Sequence, residues 1–184
     1  MAYRVAVLDD MTAELRRTEE MLSTYGAAHP ERELETACFT SVKAFMDSVC
    51  RAGKDGQWAF DILVMDIYLP DGNGMECART LRERGYEGMI VFQSSSEDYA
   101  FEAYQVDAIQ YLLKPVSQER FFAAVDKAVK EMKKCRKDRS AQEADEQFVW
   151  QDRDRVLEER KIYGHSIWFL IDILRTKWNS RKNG

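Results

Sequence analysis

The sequence predicts an α/β protein in which a parallel sheet lies between two layers of helices. Short apolar runs alternate along the chain with segments whose apolar residues recur every three or four positions. The run at 62–65 is apolar at every position, as expected of a strand covered on both faces. Acids directly follow two of the runs: Asp9 with Asp10, and Asp66. Because sites in such sheets lie beyond the carboxyl ends of the strands, these acids are candidate site residues.

The strands are predicted from apolar runs rich in β-branched residues. They span 3–8, 34–39, 62–65, 89–92 and 108–113. The fourth run ends at a polar stretch that contains Ser94, and the fifth ends at Lys114 and Pro115. Right-handed crossovers between parallel strands bring all these strand ends to one edge of the sheet.

The helices are predicted from apolar residues repeated along one face. They span 11–25, 42–49, 75–84, 98–104 and 116–134. The segment from Gly26 to Pro30 ends the first helix, and Thr40 or Ser41 caps the second. The core face of the last helix consists of Phe122, Val125, Val129 and Met132.

Five side chains of complementary chemistry are expected at the sheet edge: Asp9, Asp10, Asp66, Ser94 and Lys114. Crowded carboxylates repel one another unless a cation lies among them. Oxygen ligands without His or Cys select Mg²⁺ or Mn²⁺ over zinc. A carboxylate beside such an ion and a lysine can act as a nucleophile toward a phosphoryl group. A serine hydroxyl could then donate to a phosphoryl oxygen.

Other chemistries have less support. The sequence contains no G-x-x-x-x-G-K-[ST] and no G-x-G-x-x-G motif, so P-loop and dinucleotide sites are not expected. A glycosidase would not need a lysine between its paired acids. Structural roles stay open for single residues: Asp9 or Asp10 could cap a helix, Ser94 a turn, and Lys114 could be solvated.

Composition and charge describe a soluble protein without a membrane segment. No apolar run is longer than that at 167–171, which is far too short to span a bilayer. The N-terminal residues lack the features of a signal peptide, so we expect a cytoplasmic location. The four cysteines are widely spaced and there are only two histidines, so neither a zinc site nor a disulfide framework is expected.

The motifs together resemble the receiver domain of two-component response regulators. They are the Asp9-Asp10 pair, Asp66 four residues before Pro70, the Gln93-Ser94 strand end, and Lys114-Pro115, all in order. The resemblance covers 3–134 and implies a flavodoxin-like sheet of five strands in the order 2-1-3-4-5. Gln93 departs from the pattern, because the family usually has an apolar residue there.

The resemblance also implies roles for the residues. Asp66 would accept a phosphoryl group from a sensor histidine kinase. Mg²⁺ would be bound by Asp10 directly, by Asp9 partly through water, by Asp66, and by the backbone carbonyl of Tyr68. Ser94 and Lys114 would contact the phosphoryl group, and Tyr111 with Ser94 would form the switch. Tyr111 could instead be ordinary core packing. The domain would be a signalling protein and not an enzyme.

The part of the chain after the receiver is harder to interpret. We expect a receiver at 1–134, a linker or helix extension at 135–147 and a short segment at 148–184. The last segment predicts a β hairpin followed by a stretch that fits strand and helix equally. Residues 97–104 and 108–115 resemble receivers that precede LytTR-type DNA-binding domains, so 148–184 could be a truncated domain of that type.

Two functions therefore remain open: a transcriptional regulator, and a stand-alone receiver that switches protein–protein contacts. Residues 1–135 carry 16 basic and 23 acidic residues, whereas 136–184 carry 11 and 9. The last ten residues contain four basic and no acidic side chains, so DNA binding is conceivable only through this segment. A homodimer is a further expected assembly, formed through the receiver or through the C-terminal segment.

Overall fold

The computed structural model describes residues 2–49 and 58–138, and residues Met1–Cys135 make up one compact unit. The strands are β1 (Tyr3–Leu8), β2 (Leu34–Phe39), β3 (Ile62–Met65), β4 (Tyr68–Leu69), β5 (Gly72–Asn73), β6 (Met89–Ser94) and β7 (Gln110–Leu113). The helices are α1 (Thr12–Ala28), α2 (Val42–Val49), α3 (Gly74–Glu83), α4 (Ala100–Gln105) and α5, which covers 118–138. The predictions for 139–184 lie outside the described residues.

Five parallel strands form the sheet, in the order β2-β1-β3-β6-β7. Counting only these long strands gives 2-1-3-4-5, so the predicted flavodoxin-like order is confirmed. The two remaining strands, β4 and β5, pair antiparallel in the loop after β3. The loop between β3 and α3 therefore contains a short β-hairpin.

Helices cover the sheet on both faces. Side chains of α1 and α5 pack against one face, together with Val5, Val64, Val91 and Leu112. Side chains of α2, α3 and α4 pack against the other face, on residues such as Leu63 and Phe92. Neighbouring residues of a strand thus enter opposite layers, which explains why the central strands are apolar throughout.

Some element boundaries differ from the sequence prediction. Strand β6 continues through Gln93 and Ser94, because both pair in register with residues of β7. Strand β7 begins later than expected, after Asp107, which has a positive φ of 51°. In α5 the fully buried aromatic residue is Phe121, whereas Phe122 is half-buried. Local apolar runs mark strands well but do not show polar residues that belong to the hydrogen-bond ladder.

The loop after β3 is fixed by side chains of its own. Asp71 Oδ2 accepts a hydrogen bond from the backbone N–H of Val42 at 2.9 Å, at the start of α2. Asn73 is the N-cap of α3 and accepts from the backbone N–H of Met75 at 2.8 Å. Gly74 donates its N–H to the carbonyl of Ile67 at 2.9 Å. These bonds hold the backbone between Ile67 and Met75 in place next to Asp66.

Gly74→Ala is expected to lower the free energy of unfolding by about 2–3 kcal/mol, as overpacking does. A Cβ at this position would lie 2.0 Å from the backbone carbonyl oxygen of Asp66, so the chain would have to move. Gly26→Ala is the matched control, because a Cβ there meets nothing within 4 Å. Chemical denaturation measures both variants. If the two variants have the same free energy of unfolding, the backbone at Asp66 can move aside without loss of stability.

Among the described residues, no helix combines the length and apolar character needed to cross a membrane.

A lysine-bridged carboxylate site at the sheet edge

The carboxyl edge of the sheet carries the predicted site residues. Asp9 follows β1, Asp66 follows β3, Ser94 ends β6 and Lys114 follows β7. The Lys114 ammonium donates to Asp9 Oδ2 at 2.6 Å and to Asp66 Oδ2 at 2.7 Å. One lysine therefore bridges two carboxylates that belong to different strands, which is a charge-assisted arrangement.

Asp10 completes a group of three carboxylates. Single carboxylate oxygens of Asp9, Asp10 and Asp66 all lie within 4.8 Å of one another. Asp9 and Asp66 are buried, whereas Asp10 is exposed. One ammonium does not balance three carboxylates, and hard oxygen donors at this spacing suit a small divalent cation. The donor set thus fits the Mg²⁺ that the resemblance implies.

Burial and ion pairing together shift the pKa values of Asp9 and Lys114. Burial is the largest influence on Asp9 and raises the pKa of its carboxyl, even though the hydrogen bond from Lys114 lowers it. Burial alone would lower the pKa of Lys114, but hydrogen bonds to Asp66 and Asp9 outweigh burial and raise it. Lys114 is therefore a cation at neutral pH.

Backbone N–H groups orient the two buried acids. Asp66 Oδ1 accepts from the N–H of Ile67 at 2.6 Å and from that of Tyr68 at 3.4 Å. Asp9 Oδ1 accepts from the N–H of Met11, the N-cap residue of α1, at 2.9 Å. Asp9 therefore does not cap α1, as was considered for it, because the N-cap residue is Met11 and has no side-chain cap bond; Asp9 only accepts from the residue that precedes the helix. Each acid keeps its other oxygen toward the lysine.

The β6–α4 loop connects Ser94 with Tyr111. Ser94 is completely buried, and its hydroxyl accepts from the backbone N–H of Ser96 at 3.3 Å. Tyr111 donates its hydroxyl hydrogen to the carbonyl of Ser96. Burial raises the pKa of Tyr111, and a hydrogen bond with Ser94 partly offsets this effect. A movement of Ser94 would therefore displace Tyr111 and the loop that contains Ser96.

Two buried polar residues next to the site were not predicted to have a role. Thr18 of α1 donates its hydroxyl to Gln93 Oε1 at 3.2 Å. The sequence shows Gln93 as a polar residue at the end of an apolar strand, whereas Thr18 is one small residue on a helix face. Only the fold shows that the two side chains meet.

Comparison with known proteins assigns the family. Residues 5–126 match the response regulator receiver domain. The chain therefore belongs to the family of response regulator receiver domains, and the resemblance inferred from the motifs is confirmed.

Curated relatives include regulators from several bacteria. The sensory transduction protein LytT of Bacillus cereus is 39% identical over 71 residues, covering 39% of this chain and 29% of LytT. LytT of Oceanobacillus iheyensis is 28% identical over 133 residues, covering 66% of this chain and 53% of that protein. The response regulator protein TmoT of Ectopseudomonas mendocina is 29% identical over 128 residues, covering 68% of this chain and 52% of TmoT. The matched regions thus span at most about half of these relatives.

Solved receiver structures share the fold. The BeF3-activated DrrB receiver domain superposes with a TM-score of 0.55 at 25% identity, covering 71% of this chain and 99% of that domain. The CheY-like receiver domain protein of Methanospirillum hungatei gives a TM-score of 0.59 at 20% identity, covering 73% of this chain and 98% of that protein. Both matches support the five-stranded parallel architecture.

Asp10→Ala is expected to weaken Mg²⁺ binding at least tenfold, because one of three carboxylates is removed. In metal-free buffer the variant should melt at an equal or higher temperature than the wild type, since repulsion with Asp9 and Asp66 is relieved. Isothermal titration calorimetry and thermal melts measure the two effects. Lower stability without metal, combined with unchanged Mg²⁺ affinity, would assign Asp10 a helix-capping role instead.

Proposed function

We propose that this chain is a phosphorylation-dependent response regulator that accepts a phosphoryl group on Asp66 from a sensor histidine kinase. The observation that carries the proposal is the Lys114 bridge between the Asp9 and Asp66 carboxylates, with Asp10 close by. Membership of the receiver family supports the same reaction. Such a set of groups places a nucleophile and a fixed cation at one point.

In the proposed transfer, an oxygen of the Asp66 carboxylate forms a bond to phosphorus while the P–N bond to the kinase histidine breaks. The imidazole retains the bonding electron pair and takes up a proton. The N–H groups of Ile67 and Tyr68 hold the carboxylate in orientation. Lys114 stabilises negative charge on the phosphoryl oxygens, and the Ser94 hydroxyl is proposed to donate to one of them.

Mg²⁺ is the proposed cofactor of this transfer. Asp9, Asp10 and Asp66 would hold it, together with the backbone carbonyl of Tyr68. When bound, it neutralises phosphoryl oxygens during transfer. Lys114 alone cannot compensate both the three carboxylates and an incoming phosphoryl group.

The test is phosphorylation by a small phosphodonor. Incubation with acetyl phosphate and Mg²⁺ should add one phosphate, measured by intact-protein mass spectrometry. The label should be released by hydroxylamine, as an acyl phosphate is, and borohydride reduction should locate it at Asp66. A label that survives hydroxylamine, or one located at another residue, would contradict the proposal.

For the output, we propose regulation of transcription through the segment after the receiver. The likeness to LytT proteins and the basic residues near the C-terminus support it. Binding to promoter DNA that weakens steeply with salt would support this output. A phosphorylated protein that contacts only proteins, and no DNA at any salt concentration, would favour the stand-alone receiver instead.

Phosphorylation is expected to promote self-association through α4, β7 and α5. Phe101 and Tyr104 on α4 are 73% and 81% exposed, which leaves apolar area available for contact. Movement of Ser94 toward the phosphoryl group would shift Tyr111 and the loop before α4. The coupling free energy between phosphorylation and self-association would be about 1–3 kcal/mol. Sedimentation with and without beryllofluoride and Mg²⁺ measures the effect, and Phe101→Ala should weaken it. A protein that stays monomeric in both conditions would refute the association.

A further inference from the structure

The charge of the receiver changes sign within its last helix. Residues 1–126 carry 12 basic and 22 acidic side chains, whereas residues 127–135 carry four lysines and one acid. The basic part of the chain therefore begins inside α5 and not after the receiver. The acidic total of residues 1–135 conceals this stretch, so contact with DNA is not confined by charge to the residues that follow.

The outer face of α5 carries a row of four exposed lysines, which we call the lysine row: Lys127, Lys130, Lys133 and Lys134. An α-helix turns about 100° per residue, so the four positions fall within about 120° of one another around the helix axis. The opposite side of α5, which includes Val125 and Val129, is buried in the core. The fold thus fixes the helix and presents the lysines together on its free side.

The lysine row contains like charges without compensation. Lys130 lies three residues after Lys127, and three and four residues before Lys133 and Lys134, and like charges at these helical spacings repel. Within the described residues none of the four ammonium groups forms an ion pair. Glu131, the one acid of the stretch, is half-buried. A bound polyanion would therefore relieve the repulsion between the lysines.

Duplex DNA matches the lysine row in charge and length. Lys134 lies seven positions after Lys127, which is about 10 Å along the helix axis. Over that length a DNA duplex carries about six phosphate charges. Lysine contacts phosphate as a flexible point charge, without the fixed fork of arginine. Four lysines therefore suit contacts to the DNA backbone, which do not depend on the base sequence.

Other polyanions fit the lysine row less well. Among the residues that the structure describes, no large apolar side chain of α5 is exposed. Helices that lie on membranes bury apolar side chains in the lipid, and proteins that bind single-stranded nucleic acid stack bases on aromatic rings. The lysine row offers charge alone, which favours the phosphate backbone of a duplex.

We propose that the lysine row is a DNA-contacting surface of the receiver itself, which binds the phosphate backbone of duplex DNA without reading its sequence. The inference rests on the proposed transcriptional output and assigns part of the DNA affinity to α5. Contacts of this kind hold a protein on the duplex, while base contacts made by other residues supply the sequence preference. They need no phosphoryl group on Asp66.

The test compares the wild type with a variant that combines Lys130→Gln, Lys133→Gln and Lys134→Gln. The full chain, without phosphodonor and in EDTA, is titrated into a fluorescently labelled DNA duplex of mixed sequence, and anisotropy is measured over a range of salt concentrations. The slope of log K against log salt should fall by about 2 to 3, because each lost phosphate contact removes about 0.9. At the lowest salt concentration the variant should bind about tenfold more weakly, or worse.

A variant that combines Arg16→Gln, Lys43→Gln and Arg79→Gln is the matched control. These exposed basic residues lie on α1, α2 and α3, so the control loses the same charge from other surfaces. Its affinity and salt slope should stay close to those of the wild type. Equal losses in both variants would show that only the total charge matters, and would refute the lysine row as a site. Labelling of Asp66 by acetyl phosphate should be unchanged in the lysine-row variant, which confirms that it is folded.

The outcomes separate this inference from the function on which it rests. If the wild type binds no duplex at any salt concentration, the transcriptional output fails together with the lysine row. If the wild type binds and the lysine-row variant binds equally well, only the lysine row is refuted.

Two further measurements could assign the lysines to another partner. Sedimentation with beryllofluoride and Mg²⁺ is needed because α5 belongs to the expected self-association surface. If the lysine-row variant no longer self-associates and its DNA affinity falls only under that condition, the lysines act between copies of the chain. If the variant loses binding to vesicles that contain phosphatidylserine while its DNA affinity is unchanged, the partner is an anionic lipid surface. Either result would overturn the proposal.

Discussion

Asp66→Asn should take up no phosphate from acetyl phosphate. The asparagine amide nitrogen or oxygen cannot replace the carboxylate oxygen that must attack phosphorus. The fold should persist, because Asn can still accept hydrogen bonds from the N–H groups of Ile67 and Tyr68. Loss of one negative charge also relieves repulsion with Asp9 and Asp10. We therefore expect complete loss of labelling at unchanged or higher stability.

Intact-protein mass spectrometry after a fixed incubation measures the labelling, and circular dichroism reports the fold. Asp47→Asn is the matched control, because Asp47 is an exposed acid on α2, and it should be labelled like the wild type. If Asp66→Asn is still labelled and hydroxylamine releases the phosphate, another carboxylate is the acceptor. Asp10 would then be the first candidate, since it is the exposed member of the group.

Much of the fold, and the position of the site residues at the sheet edge, could be predicted because both depend on features that are local in sequence. The alternation of strands and helices follows from apolar periodicity, and parallel topology then places Asp9, Asp66 and Lys114 at one edge. The chemical types of these residues, two acids and a lysine, already indicate ion pairing. The structure adds that one ammonium contacts both carboxylates within 2.7 Å.

Features that depend on tertiary contacts could not be predicted in this way. The requirement for glycine at 74 comes from the carbonyl of Asp66, eight residues earlier, and not from its immediate neighbours. The partner of Gln93 is Thr18, which lies 75 positions away on a different element. The Asp71 carboxylate accepts from Val42, the first residue of α2, which lies 29 positions earlier in the chain. Such contacts arise only when separate elements are brought together.

Lys114→Met is expected to slow the phosphorylation of Asp66 about a hundredfold. The substitution removes the ammonium group that contacts both buried carboxylates, and the loss of a fixed group that stabilises developing charge has effects of this size. Methionine has a similar length and preserves much of the packing across β6. The loss of rate therefore reports the charge and not the volume of the side chain.

The same variant should be less stable in metal-free buffer, by about 3 kcal/mol, because Asp9 and Asp66 would be buried without their cation. Added Mg²⁺ should restore part of the stability, since an ion bound only by the folded protein stabilises it. Lys130→Met is the control for removal of an exposed lysine from α5 and should change neither rate nor stability. Denaturant titrations with EDTA and with Mg²⁺ measure these differences. Wild-type stability of Lys114→Met in EDTA would show that the two carboxylates do not depend on Lys114 for their burial, and the lysine would then act on the phosphoryl group alone.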